Sequence, residues 1–350
     1  MSDYDYLNAR VRAMAGSLIS NELLDQISRA EGEDIFIDLL MDSAYAQALT
    51  EVLESSHESD AAESALRRNL FSCLDKLRSI APPGPLRLID IQLNRWDLAN
   101  IITIIRGKRR SASAEDIISA LVPAGQFHPK QLASLAAETD EIAVADALAT
   151  WGYQFASVLR QAIRASVSDP SLAALERCLY GEYFAWALSV LDPRESDEAI
   201  LRGHLAMQID LANILVLLKG ADNRSRGVRA APSAMIPGGS LGNLALENLG
   251  KAPDVERALE LLDLTSFAPA VERGVLSYGR DKRLGVIERF LEAVVIEAGI
   301  RLFRRDPLSA GVPLGYLWKK VSEYLNLRIL LRGKRYRMPA NAVREELILA

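Results

Sequence analysis

One eleven-residue pattern occurs three times in this chain, and it constrains the fold more than any other feature. The copies run Asp97 to Gly107, Asp210 to Gly220 and Glu323 to Gly333, each reading acid, two residues, Asn, a mostly apolar run, a cation, Gly. Asn100, Asn213 and Asn326 are separated by 113 residues at each step. That period is far longer than the roughly 20–50 residues of solenoid arrays, so each unit is large enough to bury a core of its own. Leu and Ala favour a helix for the run, and the second and third copies decide the matter for the Ile-rich first. Apolar residues surround nearly the whole helix, so it is expected to be buried, with an Asn amide that needs partners inside. Gly107, Gly220 and Gly333 are expected as left-handed helix stops. Arg106, Lys219 and Arg332 just before them suit the negative end of the helix dipole.

Two further anchors recur in the same order. One is an arginine, Arg68, Arg177 and Arg289, lying 32, 36 and 37 residues before the repeated Asn. The other is an aromatic, read as Tyr45, Tyr153 and Phe267. These anchors divide the chain into helical repeat units at 1–124, 125–237 and 238–350. Pro82-Pro83-Gly84-Pro85 breaks the first unit, with the next helical pattern starting at Leu88. Residues 55–60, around His57, read as a polar turn, and Asn223 to Ser233 as a loop. Ser113 to Leu121 reads as a short helix and is matched without a gap by Pro339 to Leu347, at a constant offset of 226. No alternating strand run survives inspection, so the fold class is all-α.

Composition narrows the functional classes. The chain of 350 residues is half apolar, a quarter charged and carries a net charge of −5, which argues against a nucleic-acid partner. Cys73 and Cys178 form no CxxC, which fits a reducing compartment and argues against a zinc or disulfide framework. The start, Met1-Ser2-Asp3-Tyr4-Asp5, lacks the basic and apolar regions of a signal peptide. No apolar run approaches the ~18 residues of a membrane span, so no direct bilayer insertion is expected. His57, His128 and His204 are isolated, and no HExxH, P-loop or GxSxG is present. No carboxylate pair stands out as an acid/base couple. The chain is therefore expected to have no catalytic residue, no metal site and no cofactor.

Two constellations remain. Asp97, Asp210 and Glu323 recur with Arg68, Arg177 and Arg289. They form either three internal ion pairs, Arg68–Asp97, Arg177–Asp210 and Arg289–Glu323, or a binding ring; the internal reading is preferred because buried charges need partners. The second constellation is basic: Arg106 and Lys108, with Arg109 and Arg110, and later Arg332, Lys334, Arg335 and Arg337. It is either a set of solvated helix ends or a docking surface for an acidic partner. Pro237-Gly238-Gly239, with its counterpart Pro123-Ala124-Gly125, reads as a connector between units.

Three stretches carry a resemblance to a known family: Tyr6-Leu7-Asn8-Ala9-Arg10-Val11-Arg12-Ala13-Met14, the DLxNI helices at Asp97 and Asp210, and Tyr316 to Arg328 with the basic residues after it. Together they resemble the C-type (also called d-type) stalk component of rotary V-type and A-type ATPases over nearly the whole chain. The departures are Glu323 for Asp and Ala221 where a second cation would follow Lys219-Gly220. The resemblance implies three pseudo-threefold-related helical domains forming a funnel. It also implies a non-catalytic central-stalk rotor component, cytoplasmic and peripheral to the membrane, linking the central shaft to the proteolipid ring and passing torque between ATP turnover and ion transport. Residue patterns alone reach a triplicated helical scaffold, and a helical adaptor unrelated to rotary ATPases is the alternative. Neither the coupled ion nor the direction of ATP turnover is written in this chain.

Overall fold

The structure is a computed structural model describing residues 3–55, 61–166, 172–227 and 235–348. The turn around His57 and most of the loop after Ser225 lie outside the described residues. Those described form eighteen helices and no strand. The helices are α1 (Asp3–Ala15), α2 (Asn21–Arg29), α3 (Glu33–Met41), α4 (Ala46–Ser55), α5 (Ala61–Ile80), α6 (Pro83–Arg109), α7 (Ala114–Ala120), α8 (Pro129–Ala137), α9 (Glu141–Thr150), α10 (Ala156–Ala165), α11 (Ala173–Ser189), α12 (Ser196–Ser225), α13 (Asn243–Lys251), α14 (Val255–Leu262), α15 (Ala268–Asp281), α16 (Leu284–Arg305), α17 (Gly311–Arg335) and α18 (Ala340–Glu346).

After α1 the helices recur in one order: three short, two long, one short. The long pairs have 20 and 27 residues (α5, α6), 17 and 30 (α11, α12), and 22 and 25 (α16, α17). The short closing helices α7 and α18 keep the offset of 226 seen in sequence. The second unit's counterpart falls on 228–234, outside the described residues. The aromatic anchor is Phe155 rather than Tyr153 in the second unit: Tyr45, Phe155 and Phe267 each stand immediately before a helix and are buried.

The chain forms two compact units, residues 1–156 with 300–350, and residues 157–299. In the first, α17 runs through the middle, against α1, α2, α3, α5, α6 and α18. Its residues from Gly311 to Trp318 are all buried, and Trp318 meets Trp96 of α6 at 4.9 Å between ring centroids. In the second, Leu211, Ile214 and Leu218 of α12 join Leu249, Leu259, Phe267, Ile287 and Leu291 in one apolar core. Among the described residues α12 is the one helix long and apolar enough to cross a bilayer. Half of that stretch is buried inside the protein, as in a core helix.

Two local expectations are corrected. The proline run does not precede α6 but opens it, because a proline in the first turn lacks only an N–H that would have no helical partner. The repeated glycines do not stop their helices. Gly107, Gly220 and Gly333 lie within α6, α12 and α17, and the left-handed residues come later, at Ser111, Gly227 and Arg337. There the chain closes with bonds from Ala112 N–H to the Gly107 carbonyl (3.0 Å) and from Met338 N–H to the Gly333 carbonyl (2.8 Å). The glycines at the first and third copies serve packing: a Cβ at Gly107 would stand 2.4 Å from Ile117 of α7, and one at Gly333 would stand 2.5 Å from Val343 of α18.

This generates a test with an unusual sign. Ala normally stabilises a helix interior by about 1 kcal/mol over Gly. Gly333→Ala should instead destabilise by about 1–3 kcal/mol from overpacking. Urea denaturation of Gly333→Ala, and of Gly333→Ala with Val343→Ala, measures this: the second change should recover part of the loss.

Candidate functional site: three repeated junctions

The repeated asparagines make the same pair of hydrogen bonds. Asn100 donates to the Val122 carbonyl (2.8 Å) and accepts from the Val122 N–H (2.9 Å). Asn213 does the same with Ile236 (2.9 and 2.8 Å), and Asn326 with Ile348 (2.9 and 2.8 Å). Each buried amide thereby clamps the N–H and C=O of one residue 22 or 23 positions farther on, where helical bonding has ended. Those residues are non-helical, so their N–H groups have no helical partner and the asparagine supplies one.

The acid one turn earlier binds the segment after the clamp. Asp97 accepts from the N–H groups of Gln126 (2.7 Å) and Phe127 (3.1 Å). Asp210 accepts from those of Ser240 (2.9 Å) and Leu241 (3.1 Å), and from the Ser240 hydroxyl. Phe127 and Leu241 each stand just before the N-cap of the next unit's first helix, α8 or α13. The glycines of the connectors are needed here: a Cβ on Gly125 would stand 1.8 Å from Asp97 Oδ1, and one on Gly239 would stand 2.1 Å from Asp210 Oδ1. Burial pushes the Asp97 carboxyl up to about 7, against the pull of its two amide donors and of Arg78.

The third acid finds its partner at the other end of the sequence. Glu323 accepts from the N–H of Ile19 at 2.5 Å, and Ile19 stands just before Ser20, the N-cap of α2. Its second oxygen takes the Tyr45 hydroxyl (2.7 Å) and the Lys320 ammonium (2.5 Å). Lys320 is 1% exposed and also lies over the Tyr45 ring, 4.5 Å from its centroid. Burial, with Glu323 beside it, holds the Tyr45 phenol well above its usual range, so it stays a neutral donor.

These bonds replace the expected pairs of each acid with the anchor arginine. Arg68 is half exposed and pairs with Glu51 at 3.7 Å, while Asp97 is 1% exposed and faces amides. Arg177 is half-buried on α11, and among the described residues it does not reach Asp210. Arg289 lies over the Phe290 ring at 5.3 Å, and Glu323 has the partners just named. At Asp97 and Asp210, two fixed backbone donors satisfy the buried carboxylate without the costlier desolvation of a guanidinium.

The basic helix ends are largely engaged within the chain. The Lys108 ammonium donates to the Ala136 carbonyl at the end of α8 (2.5 Å), and that of Lys334 to the Ala30 carbonyl at the end of α2 (2.5 Å). Ala221 stands where the second unit would have this cation. Arg224, one turn on, supplies the bond instead, from its Nε to the Ala252 carbonyl at the end of α13 (2.9 Å). In each case a cation answers an orphan helix carbonyl. Arg109 pairs with Glu141, first residue of α9, and Arg335 with Glu33, first residue of α3, both at 2.7 Å. Arg332 bonds Glu63 at 3.0 Å and is 43% exposed; Arg106 and Arg337 are exposed. Sequence reasoning missed Lys320 and Glu63. Glu63 is 2% exposed and receives Arg328 at 2.8 Å as well as Arg332. Neither Lys320 nor Glu63 recurs in the other units, so the repeat pattern gave no signal. His128 is the N-cap of α8, and His204 is buried in α12.

A chain of helical repeats whose buried charges bind its own backbone is built as a scaffold. Its class is that of a non-catalytic member of a larger complex. The family model described as ATP synthase (C/AC39) subunit matches residues 7–346, and the chain belongs to that family. The C subunit of the V-type ATP synthase of Deinococcus radiodurans is 28% identical over 98% of this chain and 91% of its own length. The C subunits of the A-type ATP synthases of Methanocaldococcus jannaschii and Methanosarcina mazei are 25% and 29% identical, each over 99% of this chain and 87% and 93% of their own lengths. This sets aside the unrelated-adaptor alternative and bears out the resemblance carried by NARVRAM, DLxNI and the late basic stretch.

Two measurements probe the junctions. Asn213→Ala leaves the buried Ile236 N–H and carbonyl without their partner, so unfolding free energy should fall by about 2–5 kcal/mol in chemical denaturation. Asp97 supplies a pH effect. Its folded pKa of about 7 lies above the unfolded value near 3.9. The native state therefore binds the extra proton between those values, and stability falls as pH rises through that window. Asp97→Asn, which cannot titrate, should flatten this part of the stability–pH curve relative to the parent.

Proposed function

We propose that this chain is a central-stalk rotor component of a V/A-type ATPase, seated on the cytoplasmic side between the shaft of the peripheral sector and the proteolipid ring. It passes torque between ATP turnover and ion movement and does no chemistry itself. The observation that carries this reading is the family match over residues 7–346, set beside three junctions whose polar groups bind the chain itself. In this reading the three sequence repeats at 1–124, 125–237 and 238–350 are three pseudo-equivalent domains arranged as a funnel. The recurring helix order and the three equivalent asparagine clamps support it.

The basic helix ends are proposed to meet an acidic partner. Lys108, Lys334 and Arg335 contribute by holding the junctions, and the exposed Arg106 and Arg337, with the half-exposed Arg332, make the contact. Such charges raise association rates more than affinity, and their effect is screened by salt. Omitting the chain from a reconstituted complex should leave ATP hydrolysis by the detached peripheral sector intact and abolish ion-coupled turnover. Coupled turnover without it would reject the role. Arg337→Glu should slow assembly with shaft or ring at low salt and matter less at high salt, read by stopped-flow or surface-binding kinetics.

A further inference from the structure

We propose that the seam between the third repeat and the first is an ion-pair latch, at which α2 and α3 separate from α17 and α18 before either of the other junctions opens. The proposal stands independently of the rotor assignment. It rests on a difference among three otherwise equivalent junctions.

At the first junction the clamped Val122 leads to the acid-bound Phe127 through a connector of a few residues, and at the second Ile236 leads likewise to Leu241. If such a junction opens, the connector holds its halves together at high effective concentration and it recloses. At the third, the clamped Ile348 and the acid-bound Ile19 have no such tether, because Glu323 reaches back 304 residues to its amide. Only non-covalent bonds hold this seam.

The seam is correspondingly rich in charge. It has the cation-to-carbonyl bond and the arginine–glutamate pair of the first junction, as Lys334 with Ala30 and Arg335 with Glu33. It adds Arg344 with Asp25 at 2.8 Å, Arg328 and Arg332 on Glu63, and Lys320 on Glu323. The first two additions bridge the repeats. The third neutralises the acid that does so.

The seam also holds a gap. A cavity of about 490 Å³ lies between the α2–α3 turn and the ends of α17 and α18, lined by Arg29, Gly32, Lys334, Arg337, Met338 and Val343 among others. Walls that face open space lose dispersion contacts, which leaves more for the ion pairs to hold. Exposed and half-exposed pairs such as Arg344–Asp25 and Arg335–Glu33 weaken with salt, whereas the first two junctions keep their connectors at any ionic strength. Elements with few buried apolar contacts are the ones that open locally below the global unfolding limit.

Native-state hydrogen exchange on the full chain tests this. Amides of α2 and α3 should exchange faster than those of their counterparts α8, α9, α13 and α14. The difference should widen as salt rises from about 0.01 M to about 1 M, which shortens screening from ~30 Å to ~3 Å. Arg335→Glu should speed exchange in α2 and α3 by about threefold to tenfold without touching α13 and α14, and adding Glu33→Arg should restore it. Equal protection of the three helix pairs in the parent chain would overturn the latch. So would exchange in α2 and α3 that ignores salt, or a loss of protection in Arg335→Glu spread evenly over all helices. If the variant fails to fold, the salt series on the parent chain decides alone.

Discussion

The two-point bond between an asparagine side chain and the backbone N–H and C=O of one distant residue is what the rest of the architecture depends on. A primary amide presents a donor and an acceptor side by side, and so does a residue in extended backbone, whose N–H and C=O belong to adjacent peptide units and point the same way. Asn100, Asn213 and Asn326 therefore bond both the N–H and the carbonyl of Val122, Ile236 and Ile348, in a protein whose described residues contain no strand to do so. Neither Asp nor Leu can make both bonds, and a half-satisfied buried peptide is expensive. Once the clamp is set, the connector can run only toward the acid one turn earlier on the same helix. The acid takes the amide just before the next helix, and a cation farther along takes the carbonyl at that helix's far end. One long helix thus holds the next unit's first helix by both ends.

What was legible in the sequence follows from this arrangement. The asparagine was visible because its partner is backbone: a partner without a side chain places no demand on a second residue, so the amide itself must recur. The same property hid the acids' partners. Asp97 and Asp210 bind N–H groups that no side-chain pattern encodes, and the recurring arginines offered a false complement. The helix ends misled for a related reason. Gly107 and Gly333 recur because α7 and α18 press against them, and a recurring glycine beside a cation looks the same whether it ends a helix or admits a neighbour. The left-handed position itself falls on Ser111 and Arg337, residue types that announce nothing. The aromatic anchor slipped by two residues because Tyr153 and Phe155 are neighbours in an edge-on contact, and only the helix start tells them apart.

The basic residues show why counting charges overstates docking. Helix ends leave carbonyls without partners, and a protein built of eighteen described helices has many of them. Lys108, Arg224 and Lys334 answer such carbonyls from the neighbouring repeat. The second unit is informative because its cation has moved one turn, from the position of Ala221 to Arg224, while the bond is kept. What recurs is a charge at a place in space, reached from whichever turn of the helix carries it.

The one departure in the acid goes with a change in the backbone it serves. In the first two junctions the residue two places before the bound Phe127 or Leu241 is glycine, and a Cβ there would collide with the aspartate. At the third junction the residue two places before Ile19 is Ser17, which has a Cβ. Glutamate carries its carboxylate one methylene farther from the helix, at the loss of the second amide: Ile19 alone donates from the backbone. The spare oxygen is then a buried half-charge in need of an answer, and Lys320 provides it from α17, with Tyr45 from the residue just before α4. A lysine that is 1% exposed is tolerable only beside such an acid. The change of acid, the missing glycine and the buried lysine occur together, at the one junction of the three that lacks a connector.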